Sequence, residues 1–193
     1  MEIQVAAVGA ENTNNKTMRE LVERAIKYGF SHASLLDAST LTVRSEVRDM
    51  CRADKCQMYD KNWMCPPACN DLSDNASRVT EYKSGLIVQT TGILEDDFDY
   101  DSMMAANDRQ QKLFASFRDE LKAEYPKLLA LGNGSCRICE ACAYPDSPCR
   151  FPERAVSSME AFGLVVSDVC TKNDLGYYYG PKTITYTGCF LLV

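Results

Sequence analysis

Apolar residues recur along this chain at two spacings, and each spacing predicts one kind of element. Over Met18–Ile26 they recur every three or four residues, with Gly29 as a stop, which predicts a helix. The same spacing over Ser102–Tyr125 predicts the longest helix of the chain. Runs rich in β-branched residues at Gly85–Ile93 and Thr183–Val193 predict strands.

Shorter patterns between these elements predict further strands and helices, and the order of all the elements indicates the fold class. Strands and helices alternate, which predicts an α+β (or α/β) fold with a mixed sheet flanked by helices. At 193 residues we expect a single domain, 1–193, with cysteine-rich loops at 51–69 and 136–149 between its elements. The remaining predicted elements are the strands Glu2–Val8, Ala33–Leu41 and Lys127–Leu131, the helices Val43–Met50, Ser73–Lys83 and Glu153–Phe162, and a short helix or extended piece at Leu164–Cys170.

The composition restricts the classes of partner. Twenty-seven acidic residues outnumber 21 basic ones, which gives a formal net charge of −6. Nucleic-acid binding needs a surplus of Lys and Arg, so we expect no nucleic-acid partner. The first residues have no basic segment before an apolar run, and no apolar stretch approaches the roughly 20 residues that span a bilayer. We therefore expect a cytoplasmic protein that does not enter the membrane.

Cysteine is the residue type that points to chemistry. The chain has ten cysteines, and eight of them form two compact groups of four. In a reducing cytoplasm such groups indicate metal binding, whereas a secreted protein could pair them as disulfides. Cys170 and Cys189 stand apart and are expected to be buried small hydrophobes. The first group is Cys51, Cys56, Cys65 and Cys69, and the second is Cys136, Cys139, Cys142 and Cys149.

The second group has the more specific spacing. Cys136, Cys139 and Cys142 are each separated by two residues, which lets three thiolates face one [4Fe–4S] cube, as in bacterial ferredoxins. Structural zinc sites more often use two separated pairs. We assign Cys149 as the fourth ligand of this same site, with ligation of the other site as the alternative.

The first group is looser, and its spacing alone leaves zinc and iron–sulfur both open. Proline follows Cys65 at two positions, which stiffens the loop and favours a cluster. Tyr59, Trp63 and Met64 could screen the site from water or could equally be ordinary core residues. A second site in the same chain favours clusters at both, because electron relay needs neighbouring centres.

Three segments resemble one known family. They are CPPAC (65–69), CRICEACAYPDSPCRFPE (136–153) and SMEAFG (158–163). Together they are similar to DUF2284, a family of predicted metal-binding proteins from anaerobic bacteria and archaea. The resemblance implies metal or iron–sulfur binding and names no substrate or reaction.

These observations lead to one hypothesis and two alternatives. The chain is predicted to bind two [4Fe–4S] clusters through the eight grouped cysteines and to transfer electrons at low potential to or from a redox protein partner. One alternative is a structural zinc protein with an interaction surface. The other is a reductase that uses a cluster to act on a small molecule in a pocket near Tyr177–Tyr179. The sequence decides neither enzymatic activity nor oligomeric state.

Overall fold

A four-stranded sheet between two layers of helices makes up the fold. The computed structural model describes residues 17–193, so the predicted strand Glu2–Val8 lies outside the described residues. The α+β prediction is confirmed. The helices are α1 (17–28), α2 (Ser45–Arg52), α3 (Leu72–Val79), α4 (Tyr100–Glu124) and α5 (Val166–Lys172), and the strands are β1 (His32–Asp37), β2 (Ser84–Ile93), β3 (Leu129–Leu131) and β4 (Thr183–Leu192).

The strands lie in the order β1-β2-β4-β3, and each neighbouring pair is antiparallel. The two ten-residue strands, β2 and β4, occupy the centre and pair along their whole length. The short strand β3 pairs with the end of β4, and an isolated parallel bridge joins Gly132 to Ser158 just beyond it. The chain therefore leaves the sheet edge at Gly132, a few residues before the second cysteine group.

Both faces of the central strands are buried where Leu86–Val88 pairs with Gly188–Phe190, and this explains why these runs are apolar. Alternate residues of a strand point to opposite faces. Leu86 and Phe190 pack against α1 and α4, whereas Ile87 and Leu191 pack against α3, α5 and the chain before α5. All four side chains have 0% exposure. The sheet is thus the middle layer of three.

The longest helix, α4, covers one face of the sheet along most of its length. It begins at Asp99, whose carboxylate accepts a hydrogen bond from the Ser102 N–H at 3.1 Å. Phe114, Phe117 and Leu121 form its buried stripe, as the apolar spacing predicts. Among residues 17–193, no helix combines the length and the apolarity needed to cross a bilayer.

The prediction of a helix over Glu153–Phe162 is wrong. This segment forms turns, because its backbone pairs with the sheet edge instead of with itself. Gly132 donates its N–H to the Ser157 carbonyl at 3.0 Å, and Met159 donates to the Gly132 carbonyl at 3.0 Å. The Ser158 hydroxyl then accepts the Ala161 N–H at 3.0 Å. Residues 157–163, which we call the floor segment, are fixed in this way beneath the cysteine loops.

Other predicted bounds need smaller corrections. The strand predicted over Ala33–Leu41 ends at Asp37, where the carboxylate accepts the Ser39 N–H at 2.9 Å and starts a 3-10 turn. Of the strand predicted over Lys127–Leu131, only the last three residues, Leu129–Leu131, form a strand. Of the two options for Leu164–Cys170, a helix forms, and it is shifted two residues later.

Replacing Phe117 by alanine tests how strongly the fold depends on the face of the sheet under α4. Phe117 has 0% exposure and contacts the rings of Tyr28, Phe30 and Phe190. We expect Phe117→Ala to lower the free energy of unfolding by about 3–5 kcal/mol, because it leaves a cavity in the core. Urea denaturation measures the change. The control Phe98→Ala removes a ring that is 90% exposed and should leave the unfolding midpoint unchanged.

Candidate metal centre

Two irregular segments carry the grouped cysteines. The first cysteine loop, residues 51–69, runs from the last turn of α2 to the residues that precede α3. Its first cysteine, Cys51, lies inside α2, whereas Cys65 and Cys69 are buried and Cys56 is exposed. The second cysteine loop, residues 136–149, follows the Gly132–Gly134 turn after β3. All four of its cysteines are partly buried.

Three cysteines of the first group line one cavity. Its volume is about 330 Å³, and Cys51, Cys56 and Cys65 share its wall with Glu160 of the floor segment. Burial, followed by the neighbouring thiols of Cys56, Cys69 and Cys51, raises the pKa of the Cys65 thiol to about 12. The four thiols of this group therefore influence one another electrostatically, which requires them to be neighbours.

An arginine lies beside two cysteines of this group. Arg48 precedes Cys51 by one helical turn on α2, and its Nη2 donates to the carbonyl of Asn70, directly after Cys69, at 2.7 Å. Burial raises the pKa of both thiols, and the guanidinium of Arg48 opposes that rise. Among the described residues its buried Nε–H has no hydrogen-bond partner. Arg48 thus supplies a positive charge and an unused donor next to the thiols.

The four cysteines of the second group also face one space. They line a narrow cavity together with Asn62, Trp63 and Met64 of the first loop. Burial raises the pKa of Cys136, a hydrogen bond with the Ile138 backbone lowers it, and the thiols of Cys149, Cys139 and Cys142 raise it again. All four thiols therefore lie within electrostatic reach of one another, with a backbone N–H aimed at one of the sulfurs.

The two loops are bonded to each other through Asn62, whose side chain is buried. Its amide donates to the carbonyl of Cys136 at 3.1 Å, while its carbonyl oxygen accepts the Met64 N–H at 2.9 Å. Its backbone carbonyl accepts the Cys65 N–H at 3.0 Å. One side chain therefore connects the backbone beside Cys65 with the backbone of Cys136. The two thiols are close enough that Cys136 contributes to the raised pKa of Cys65.

Trp63 makes the second connection between the loops. Its indole N–H donates to the Ser147 carbonyl at 2.9 Å, and its ring meets the Tyr144 ring edge-on at 4.9 Å between centroids. The Tyr144 hydroxyl in turn donates to the Asp60 carboxylate. Trp63 and Met64 therefore cover the second group, and Tyr59 lines the cavity of the first.

All ten cysteines, every one of which lies within residues 17–193, are free thiols. The structure therefore contains no disulfide that would support the secreted alternative. Within the same residues, no three His, Cys, Asp or Glu side chains are arranged to hold one metal ion. The thiols of each group surround a space without meeting at a single point.

Several functional candidates lie away from the cysteine loops. Cys189 is fully buried in the core, and buried Cys170 accepts a hydrogen bond from Gln89 at 3.4 Å. Tyr179 stacks on His32 at 3.9 Å between ring centroids and donates its hydroxyl to Gln89 at 2.7 Å. Tyr179 thus contacts β1 and β2 in the part of the fold where Cys170 lies, whereas Tyr177 and Tyr178 are exposed.

Sequence reasoning missed Asn62, Arg48 and Glu160 as parts of this site. In the sequence, only the cysteine spacing identified candidate ligands, and none of these three residues is one of the grouped cysteines. Arg48 carried one usable signal, since it lies three residues before Cys51 on a predicted helix and therefore on the same face. Glu160 lies in SMEAFG (158–163), one of the segments that resemble the metal-binding family, but this segment was assigned to a helix that does not form.

Replacing Asn62 by alanine tests the connection between the loops. The change removes both side-chain hydrogen bonds and leaves the Cys136 carbonyl and the Met64 N–H without partners. We expect Asn62→Ala to lower the free energy of unfolding by about 1–3 kcal/mol, as measured by urea denaturation. Asn70→Ala is the matched control, because Asn70 lies in the same region and is exposed. Equal midpoints for the two variants would contradict a structural role for Asn62.

Comparison with known proteins gives one match. The family model described as predicted metal-binding protein (DUF2284) matches residues 34–192. No curated protein and no solved structure matches the chain. The matched range contains both cysteine loops, the floor segment and all of the sheet except the first two residues of β1. The chain therefore belongs to the DUF2284 family of predicted metal-binding proteins.

Proposed function

We propose that the chain binds two [4Fe–4S] clusters and transfers single electrons to or from a partner redox protein. Cys51, Cys56, Cys65 and Cys69 would hold one cluster, and Cys136, Cys139, Cys142 and Cys149 the other. The bound clusters would supply the reversible one-electron chemistry. The protein would supply thiolates, a partly dry environment and a fixed distance between the two sites.

The observation that carries this proposal is the direct bonding between the two loops. Asn62 spans from the backbone of one cysteine group to the backbone of the other. Two independent structural metal sites would not need such contact. Electron transfer between two centres needs them close together at a fixed distance. The contribution of Cys136 to the raised pKa of Cys65 supports the same closeness.

The surroundings of the thiols support clusters over single zinc ions. A tetrahedral zinc site, with Zn–S bonds of about 2.3 Å, brings its sulfurs to within about 4 Å of one another. The first group instead lines a cavity of about 330 Å³. The hydrogen bond between the Ile138 backbone and Cys136 also fits a cluster, because N–H donors near sulfur tune cluster potentials.

Exposed apolar side chains near both loops support a protein partner. Met50, which lines the first cavity, is 73% exposed, and Phe151, which lines the second, is 41% exposed. Large exposed apolar side chains beside a functional site are typical of protein contact surfaces. A partner that covers them would approach both cysteine groups.

Metal and sulfide analysis tests the proposal directly. We expect protein purified without oxygen to contain about eight iron and eight sulfide per chain, and to show an electron paramagnetic resonance signal after reduction. Replacing Cys65 or Cys139 by serine should remove about half of the iron, because each substitution removes a ligand of one site.

Cys170→Ala is the control and should keep the full iron content, because Cys170 accepts its hydrogen bond from Gln89 and lines neither cysteine cavity. A colourless protein with stoichiometric zinc would contradict the cluster proposal and would support the structural alternative.

A second candidate function is reduction of a small molecule at a cluster. A cavity of about 710 Å³ lies between the two loops, and one cysteine of each group, Cys69 and Cys149, is part of its wall. This volume falls within the range of small-molecule sites. This cavity is a second candidate location beside the predicted pocket near Tyr177–Tyr179, because a cysteine of each group lies in its wall. Turnover of an added electron acceptor without any partner protein would favour this function.

Arg48→Gln tests the charge beside the first group. Metal binding needs deprotonated sulfur, so it competes with protons and weakens as the pH falls. Arg48 lowers the pKa of Cys51 and Cys69, so its removal raises both values. We expect the pH at which half of the metal is released to rise by about one unit.

The measurement uses metal-free protein with Co²⁺ as the probe, because thiolate-to-cobalt absorption reports binding at each pH. Arg19→Gln is the matched control, since Arg19 is exposed on α1 and lines neither cysteine cavity. Identical curves for the two variants would contradict a role for Arg48.

A further inference from the structure

Basic residues collect around one cavity beside the second cysteine group. The cavity has a volume of about 390 Å³ and lies between α4, the residues after β3 and the chain around Val156. Cys136 is part of its wall. In a chain with a net charge of −6, such a concentration of positive charge needs a physical explanation. The charged residues of the wall are the basic Lys112, Arg118, Arg137 and Arg154 and the acidic Asp108.

Two of the four cations are already held in place. Arg118 is buried, and its guanidinium donates to the Asp119 carboxylate and to the carbonyl of Arg154. Arg137 lies 3.4 Å from Asp108, between Nη1 and Oδ1, with both side chains about half exposed. A pair so exposed contributes little, so Arg137 can exchange partners readily.

The other two cations have no acidic partner among residues 17–193. Lys112 forms no ion pair in that range, and the guanidinium of Arg154 lies 6.0 Å from the Phe151 ring centre. Asp119 pairs with Arg118 and Asp108 pairs with Arg137, so the charges of Lys112 and Arg154 remain unbalanced. The cavity therefore carries a surplus of positive charge that an anion would neutralise.

The rest of the wall combines apolar side chains with the polar Gln111, Asn133 and Ser135. Phe114 and Ala115 come from α4, Ile138 from the second cysteine loop, and Val156 from the chain leading to the floor segment. Small-molecule sites combine apolar walls with a few charged groups that fix orientation. The wall thus fits a ligand with an apolar body and an anionic end.

We propose that this cavity binds a small organic anion, one that carries a phosphate or carboxylate group on an apolar body. The ligand would lie next to Cys136 and Arg137, so its charge would act on the second cysteine group. This site goes beyond the proposed electron transfer and does not depend on which metal the cysteines hold.

Calorimetric titration of the protein, purified without oxygen, tests the site. The probe is phenylphosphonate, with phthalate as the carboxylate counterpart and benzyl alcohol as the uncharged comparison. We expect at least one of the two anions to bind and benzyl alcohol not to bind. Comparing phenylphosphonate with phthalate shows whether phosphate or carboxylate is preferred.

Variants then place the binding in the cavity. We expect Lys112→Gln and Arg154→Gln each to weaken anion binding about tenfold, because each removes a charged donor. The matched controls are Lys127→Gln and Arg19→Gln, which remove exposed charges that are not part of the wall. Circular dichroism confirms that each variant is folded, and the result for the unaltered protein stands even where a variant is not.

Three results would contradict the proposed anion-binding site. They are no heat from either anion at millimolar concentration, equal weakening by the control variants, and benzyl alcohol binding as well as the anions. Iron content measured on the same samples separates this site from the proposed function. If protein without clusters binds the anion, the anion site is supported and only the cluster proposal fails. If protein with clusters does not bind the anion, only the anion site is rejected.

Discussion

The burial of both faces of the central strands is the constraint on which the rest of the structure depends. β2 and β4 carry apolar runs on both faces because helices cover them on both sides. The buried polar side chains of this middle layer, Gln89, Thr90 and Thr187, are already hydrogen-bonded to neighbouring side chains. The cysteine groups are therefore carried by loops, and the loops need support from the edge of the sheet.

The floor segment provides that support. Its backbone pairs with Gly132 at the sheet edge, and Gly163 accepts the N–H of Arg44 just before α2 at 2.8 Å. Its Phe162 carbonyl accepts the side chain of Asn75 on α3 at 3.2 Å. The ends of three elements thus meet beneath the cysteine loops, which fixes where each loop starts and ends. Asn62 and Trp63 then join the loops above this base.

The charge distribution shows why whole-chain composition is a poor guide to local sites. The acidic total argues against a polyanion as the main partner, yet one cavity gathers four cations around a single carboxylate. These residues come from α4, from the second cysteine loop and from the chain that follows it. A small anion needs only this local field, because interactions between exposed charges fade beyond about 10 Å at ordinary salt.

By itself the sequence determined the elements with strong periodicity and the chemical character of the site. The pattern of Ser102–Tyr125 gave α4 nearly complete, and the cysteine spacing divided eight cysteines into two groups that remain predicted metal sites. Both features are local, since helix periodicity and ligand spacing depend on residues near one another in the chain. The family match over residues 34–192 agrees with the metal-binding prediction.

Only the tertiary structure decided how these parts meet. The sequence of Glu153–Phe162 has helical character, but its backbone forms hydrogen bonds with Gly132 instead. The sequence of the segment alone does not show that this competing partner is near. The contacts of Asn62 with Cys136 and of Arg48 with Asn70 join residues 74 and 22 positions apart. Long-range contacts of this kind follow from the packing of the whole sheet, which no spacing rule describes.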